Sequence, residues 1–232
     1  WGTLSADDLA PRTRAVVNWT DFSDLAFFQR YDRDFALTSA RTVGQKAFVT
    51  RSEGPVAFNL RLERETALYG SSEVVLERKP VLEARLRPTG LFGNALFVEA
   101  QGSAGFLRSI RPAGQPAGDY ERLDVYPKLS APLSPVPWLS VNAEAGYRVT
   151  RYGASVSADG RSLTEEPYTR GSATAGLEVT GPSFSRVFDV KLGKFRKLKH
   201  VLEPRADYSY QTDPEDLSRT PVFDEVDTIL PS

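Results

Sequence analysis

The residue types that most often do chemistry are scarce in this 232-residue chain. A zinc site needs several imidazole or thiolate ligands converging from nearby elements. The chain has one histidine, His200, and no cysteine. His200 stands near Lys197 and Lys199 with no second imidazole to share a metal, so it reads as structural. A serine–histidine hydrolase would have to use that same residue. Glu165-Glu166 has the composition of a carboxylate pair. Adjacent residues diverge on a strand, however, so an exposed loop tip is the expected setting. Phe195-Arg196-Lys197-Leu198-Lys199, with Lys191 and Lys194 nearby, forms a small basic cluster. It can contact anionic lipid or a partner, although a solvated turn is the simpler reading. No phosphate-cradling loop is present. These features point away from an enzyme and imply no cofactor and no metal.

What recurs instead is polar residues at every second position. Glu99, Gln101, Asn142, Glu144, Arg148, Glu178, Glu203 and Arg205 are the candidates for a polar lining. Their positions follow from strand geometry, because successive side chains on a strand point to opposite faces. Over 139–151, Leu139, Val141, Ala143, Ala145, Tyr147 and Val149 fall on one side. Ser140, Asn142, Glu144, Gly146, Arg148 and Thr150 fall on the other. The same alternation marks 58–63, 82–87, 96–106, 173–179 and 202–210. At 123–133, Val125, Leu129 and Ala131 oppose Arg122, Asp124 and Lys128. Weaker strands lie at 14–19, 25–32 and 45–51. About ten strands and no helix are expected, which is an all-β antiparallel up-and-down sheet.

Strand length bears on the surroundings. Strands of soluble domains run to about 5–6 residues, and tilted membrane strands to about 9–11. The apolar side from Leu139 to Val149 rises about 23 Å at a tilt near 45°, close to the roughly 25 Å apolar band of an outer-membrane barrel. Connections bear on it too. Short ones are expected at 20–23, 52–55, 89–94 and 134–137, and long ones at 33–44, 65–79, 112–119 and 152–169, in alternation. Barrels of the outer membrane alternate short periplasmic turns with long extracellular loops. The stretch 181–199 is long for its place in that pattern.

Composition leaves both surroundings open. Charged residues make up 25% and hydrophobic ones 41%, and the net charge of −1 suggests no nucleic-acid partner. The mean hydropathy of −0.34 suits a soluble β protein or a membrane barrel equally. No apolar run approaches the roughly 18 residues of a membrane-spanning helix. The chain opens at Trp1 without a basic start or apolar leader, and both ends read as cuts in a longer chain, a segment of one barrel domain over 1–232. Trp19, Trp138 and the tyrosines suit interfacial girdles as well as a packed core.

Several motifs resemble the barrel of the LptD family. Lys199-His200-Val201-Leu202-Glu203-Pro204-Arg205, followed by Tyr208 and Tyr210, is the most specific. Val75-Leu76-Glu77-Arg78-Lys79-Pro80, Phe28-Gln29-Arg30-Tyr31-Asp32-Arg33-Asp34-Phe35 and Pro221-Val222-Phe223-Asp224 follow the family's order and spacing. The resemblance implies a partial slice of a large transmembrane β-barrel in the bacterial outer membrane. It implies transport and insertion of lipopolysaccharide into the outer leaflet. It also implies a plug lipoprotein of the LptE type and periplasmic bridge proteins as partners. The residues alone leave open a porin-like or ligand-gated channel, and a soluble sandwich or lipocalin-like binding protein.

Overall fold

A computed structural model of the chain describes residues 2–19, 42–69, 72–193, 195–213, 217–224 and 226–227. The strands are β1 (Gly2–Ala10), β2 (Thr13–Trp19), β3 (Thr42–Glu53), β4 (Val56–Tyr69), β5 (Ser72–Leu91), β6 (Leu96–Ile110), β7 (Gly118–Val136) and β8 (Leu139–Tyr152). They continue with β9 (Ser155–Val156), β10 (Leu163–Thr164), β11 (Tyr168–Thr180), β12 (Phe184–Leu192), β13 (Phe195–Leu202) and β14 (Arg205–Gln211). Ten of them form one up-and-down sheet in the order β1-β2-β3-β4-β5-β6-β7-β8-β11-β14. β9–β10 and β12–β13 are separate hairpins set into its connections. Helix among the described residues amounts to one 3-10 turn, Leu217–Arg219.

Register partners lie side by side on one face of a sheet, so whole rows can be followed. Arg14, Thr50, Asn59, Glu83, Ser103, Asp124, Thr150 and Arg170 make one continuous polar row. One residue along, on the opposite face, Ala15, Val49, Leu60, Leu82, Ala104 and Leu123 make an apolar row. Burial is inverted relative to a soluble domain. Leu60 and Leu82 are 42% and 48% exposed, whereas Asp124, Thr150 and Arg170 are 3%, 1% and 3% exposed. An apolar face of this breadth left open is a surface made for hydrocarbon. The buried apolar cluster is small: Val81, Leu107, Tyr120, Tyr152, Ala154 and Phe223. Val81, Leu107, Tyr120 and Tyr152 belong to the polar face, near the end with the longer connections.

The strands outrun the expected ones. The region 65–79 is not a long loop, because β4 and β5 stay paired from Val56↔Leu86 to Tyr69↔Ser72. Alternation fades there because the outward face turns charged. Arg64 and Arg108 are register partners of Glu77, and Arg64 lies 3.4 Å from it. Past the hydrocarbon a strand needs no apolar side, yet its ladder can continue. The alternation of short and long connections therefore fails at this junction. β5 runs through Leu91 and β7 through Val136, so those two turns are shorter than 89–94 and 134–137. The expected strand at 25–32, the turn at 20–23, the motif at 28–35 and most of the loop at 33–44 lie outside the described residues; 42–44 belong to β3.

Prolines do not end these strands: Pro127 and Pro132 keep register partners in Ala100 and Asn142, and at three others the ladder shifts. Register shifts fall between Arg78 and Val81, Leu86 and Thr89, and Leu133 and Val136, around Pro80, Pro88 and Pro135. A bulge leaves one residue unpaired, which suits a residue with no N–H to donate. At the first bulge a Cβ on Gly105 would lie 2.6 Å from the Pro80 carbonyl oxygen, so only glycine fits opposite it.

Substituting Leu129→Arg on the apolar side should cost about 2–4 kcal/mol for folding into liposomes, read by denaturant titration. Ser130→Arg, one residue along on the polar side, should change it by about 0.5 kcal/mol or less. Equal small effects would mean that both sides meet water. Among the described residues β1 and β14 each pair with a single neighbour. Such edges recruit other chains, so residues 1–232 alone should sediment as aggregate in plain buffer; a folded monomer there would contradict the assignment of faces.

Candidate functional site

The polar face is a lattice of opposite charges on neighbouring strands. Lys128 on β7 reaches Glu99 on β6 at 2.9 Å and Glu144 on β8 at 3.2 Å. Asp124 on β7 accepts from Arg148 at 3.0 Å and from the Thr150 hydroxyl at 2.7 Å. Glu83 on β5 accepts from Asn59 at 2.8 Å and from Arg61 at 3.0 Å. Arg205 on β14 meets Glu178 on β11 at 3.1 Å. Asn142 is the register partner of Glu178, and Gln101 that of Tyr126. Between Asn59, Arg61, Glu83, Gln101, Asp124 and Arg148 opens a cavity of about 380 Å³. Its walls offer both donors and acceptors, as a hydroxyl-rich or charged ligand requires.

Of the residues expected to line the interior, Glu99, Gln101, Asn142, Glu144, Arg148, Glu178 and Arg205 lie on this face. Glu203 does not: it sits between β13 and β14, outside any strand. Pro204, with no N–H, interrupts the ladder there, and its carbonyl instead accepts from the Gly181 amide at 2.8 Å. Glu165 and Glu166 are exposed between β10 and β11, where Glu166 lies 3.5 Å from Arg219. His200 is exposed on β13 opposite Arg186. Among the described residues no group of histidine, cysteine and carboxylate side chains is arranged to hold a metal.

The feature that strand alternation does not reveal is the segment after β14. Residues 217–224 and 226–227 turn back onto the polar face and dock by charge. Arg122 grips Asp224 with both terminal nitrogens, at 2.7 and 2.8 Å, and also reaches Asp227 at 2.9 Å. The fully buried Asp227 side chain takes a further hydrogen bond from the Tyr152 hydroxyl at 2.6 Å and one from the Phe223 amide at 2.9 Å. Arg78 bridges Glu63 at 2.7 Å and Asp224 at 3.2 Å, with its guanidinium 5.0 Å from the Phe223 ring centre. Arg170 donates to the Val226 and Asp227 carbonyls, and the Tyr168 hydroxyl bonds that of Thr220. Burial alone would raise the Asp224 carboxyl, but the hydrogen bonds and charges of Arg122 and Arg78 outweigh it and hold it below its ordinary range. Alternation already places Arg122 on the polar side. Its partners lie 102 and 105 residues away, and no local pattern connects them.

A ten-stranded antiparallel sheet with a charged inner wall and an exposed apolar outer wall is a segment of an outer-membrane β-barrel. The model of the LptD family, described as LPS transport system D, matches residues 3–228, and the chain belongs to that family. It is similar to the LPS-assembly protein LptD of Ectopseudomonas mendocina (strain ymp), at 26% identity over 248 residues. That match covers 93% of this chain and 26% of the relative, so the chain spans about a quarter of the relative's length. The family places the chain in the bacterial outer membrane, and it is a family of transport and assembly proteins, not of enzymes.

Arg122→Met should release 217–227. Breaking a buried ion pair from one side costs about 3–5 kcal/mol because it strands the remaining charges, here Asp224 and Asp227. Hydrogen exchange should show loss of amide protection confined to this segment, and adding Asp224→Asn and Asp227→Asn should restore part of it. Unchanged exchange in Arg122→Met would contradict docking by charge. The pH dependence has a defined sign. A depressed carboxyl pKa contributes docking free energy above the ordinary carboxylate range, and this is lost as pH falls through the depressed value. Protection of 217–227 should thus hold at neutral pH and fail only under acid conditions, before the strands open.

Proposed function

We propose that this chain is part of the wall of a lipopolysaccharide translocon, passing the lipid to the outer leaflet of the outer membrane. The polar face takes the charged sugar head, and the apolar face keeps the wall in register with the bilayer. A plug lipoprotein of the LptE type inside the barrel and periplasmic bridge proteins that deliver the substrate complete the assembly. The observation that supports this reading most directly is the sidedness of the sheet, joined to membership of the LptD family. A molecule with a polar head and acyl chains needs a polar route beside a hydrocarbon one, and each wall strand offers both at alternate residues.

The inner charges suit a polyanionic sugar in passage. Glu99 and Glu144 share Lys128, and Asp124 pairs with Arg148, so each anion has a cation on a neighbouring strand. A balanced lattice can exchange hydrogen bonds with hydroxyls and phosphates without trapping them, whereas an unbalanced basic wall would hold anions tightly. Residues 217–227 cover the inner face at the end with the longer connections, and their displacement accompanies passage.

A photo-reactive residue in place of Gln101 or Asn142 should cross-link to lipopolysaccharide in growing cells. One at Leu129 or Val141 should give adducts with acyl chains or phospholipid only. Absence of lipopolysaccharide adducts at both inner positions, with steady ion conductance in planar bilayers, would replace this reading with a diffusion channel.

A further inference from the structure

The β12–β13 hairpin lies outside the main sheet, its strands pairing only with each other. Every one of its side chains described between 184 and 202 is exposed. Two strands alone are marginal in water, so a hairpin of this kind is expected to rest on something. Register places Phe184, Arg186 and Phe188 on the same face as Leu202, His200 and Leu198. Phe184, Leu198 and Leu202 are 57–58% exposed there, and the Arg186 guanidinium lies 5.1 Å from the Phe188 ring centre. Lys197 and Lys199 belong to the opposite face, with Val187 and Val201. In a chain of net charge −1, residues 184–202 hold Arg186, Lys191, Lys194, Arg196, Lys197 and Lys199 against the single acid Asp189.

The position of the hairpin matches this make-up. It leaves the sheet between the end of β11 and the start of β14, at the same rim as the β5–β6 and β7–β8 turns. Those turns carry Phe92 and Trp138, 85% and 58% exposed. Large aromatics at the rim of an apolar barrel face mark the level of the lipid headgroups. The rim with short turns is the periplasmic one in outer-membrane barrels.

We infer that the β12–β13 hairpin is a lipid-surface anchor that lays Phe184, Phe188, Leu198 and Leu202 into the periplasmic leaflet and sets its basic side chains against anionic phospholipid headgroups. Apolar area and positive charge act together in such a contact. The lysine stems can lift their ammonium groups from the opposite face to the phosphates. An acidic protein would match the charge but not the exposed aliphatic and aromatic side chains beside it.

The test uses the intact protein in nanodiscs, with a benzophenone amino acid replacing Phe188 and the adducts identified by mass. In discs containing phosphatidylglycerol, phospholipid adducts should dominate. In discs of phosphatidylcholine alone they should fall about tenfold, in line with the attraction of several basic residues to an anionic surface. Lys197→Glu with Lys199→Glu should produce the same loss in phosphatidylglycerol discs, with heat-modifiable migration of the barrel unchanged. Equal adduct yields in the two lipids, or no phospholipid adduct in either, would overturn the inference. So would an adduct to a protein in native membranes in place of the lipid adduct.

Discussion

Everything in this structure depends on the absence of competing water inside a bilayer. An unsatisfied amide or carbonyl there costs several kcal/mol, so a spanning backbone must pair all of its polar groups with itself or with neighbours. Sheets meet that demand only when each strand is bonded on both sides. The consequence is visible in long strands such as β5 (Ser72–Leu91) and β7 (Gly118–Val136), whose pairing persists past prolines through bulges. It also explains the inverted burial. Leu60, Leu82 and Leu123 need no protein cover when lipid supplies it, and the polar partners of the chain collect on the other face.

On that inner face the controlling quantity is charge balance. Arginine and lysine stand next to aspartate and glutamate on adjacent strands, as in Lys128 between Glu99 and Glu144. Exposed pairs of this kind are each worth roughly 0–1 kcal/mol, so they do not hold the sheet together. The ladder does that. The pairs instead set the chemistry that this face exposes: a hydrated surface with alternating donors and acceptors. The tighter and drier exception is Arg122, whose bidentate contact with Asp224 and bond to Asp227 fasten 217–227 across the wall.

Both faces therefore follow from one backbone, and the two additions to it follow from what the faces leave undone. The 217–227 segment brings Phe223 over Val81, Leu107, Tyr120 and Tyr152, and so supplies the apolar cover that the inner wall lacks near its longer connections. The β12–β13 hairpin carries exposed apolar and basic side chains at the other rim. One is pinned by ion pairs inside the wall; the other projects beyond it.

The two faces are legible in the residues alone, because a period of two residues is imposed by strand geometry wherever one side meets hydrocarbon and the other water. Leu139 to Thr150 shows this without any knowledge of neighbours, and so the all-β class is legible, as is the face shared by Glu99, Gln101, Asn142, Glu144, Arg148, Glu178 and Arg205, whereas Glu203 falls outside any strand. Alternation stopped being informative where that contrast ends. At 65–79 charged residues appear on the outward face, and a paired strand looked like a loop. Which charges meet, where the prolines are absorbed, and the return of Pro221-Val222-Phe223-Asp224 to Arg122 emerge in the folded chain. Those outcomes rest on contacts between distant residues, from Asp124 and Arg148, 24 positions apart, to Arg122 and Asp224, separated by 102. Such contacts are set by the register of several intervening strands together, which no local pattern of residues encodes.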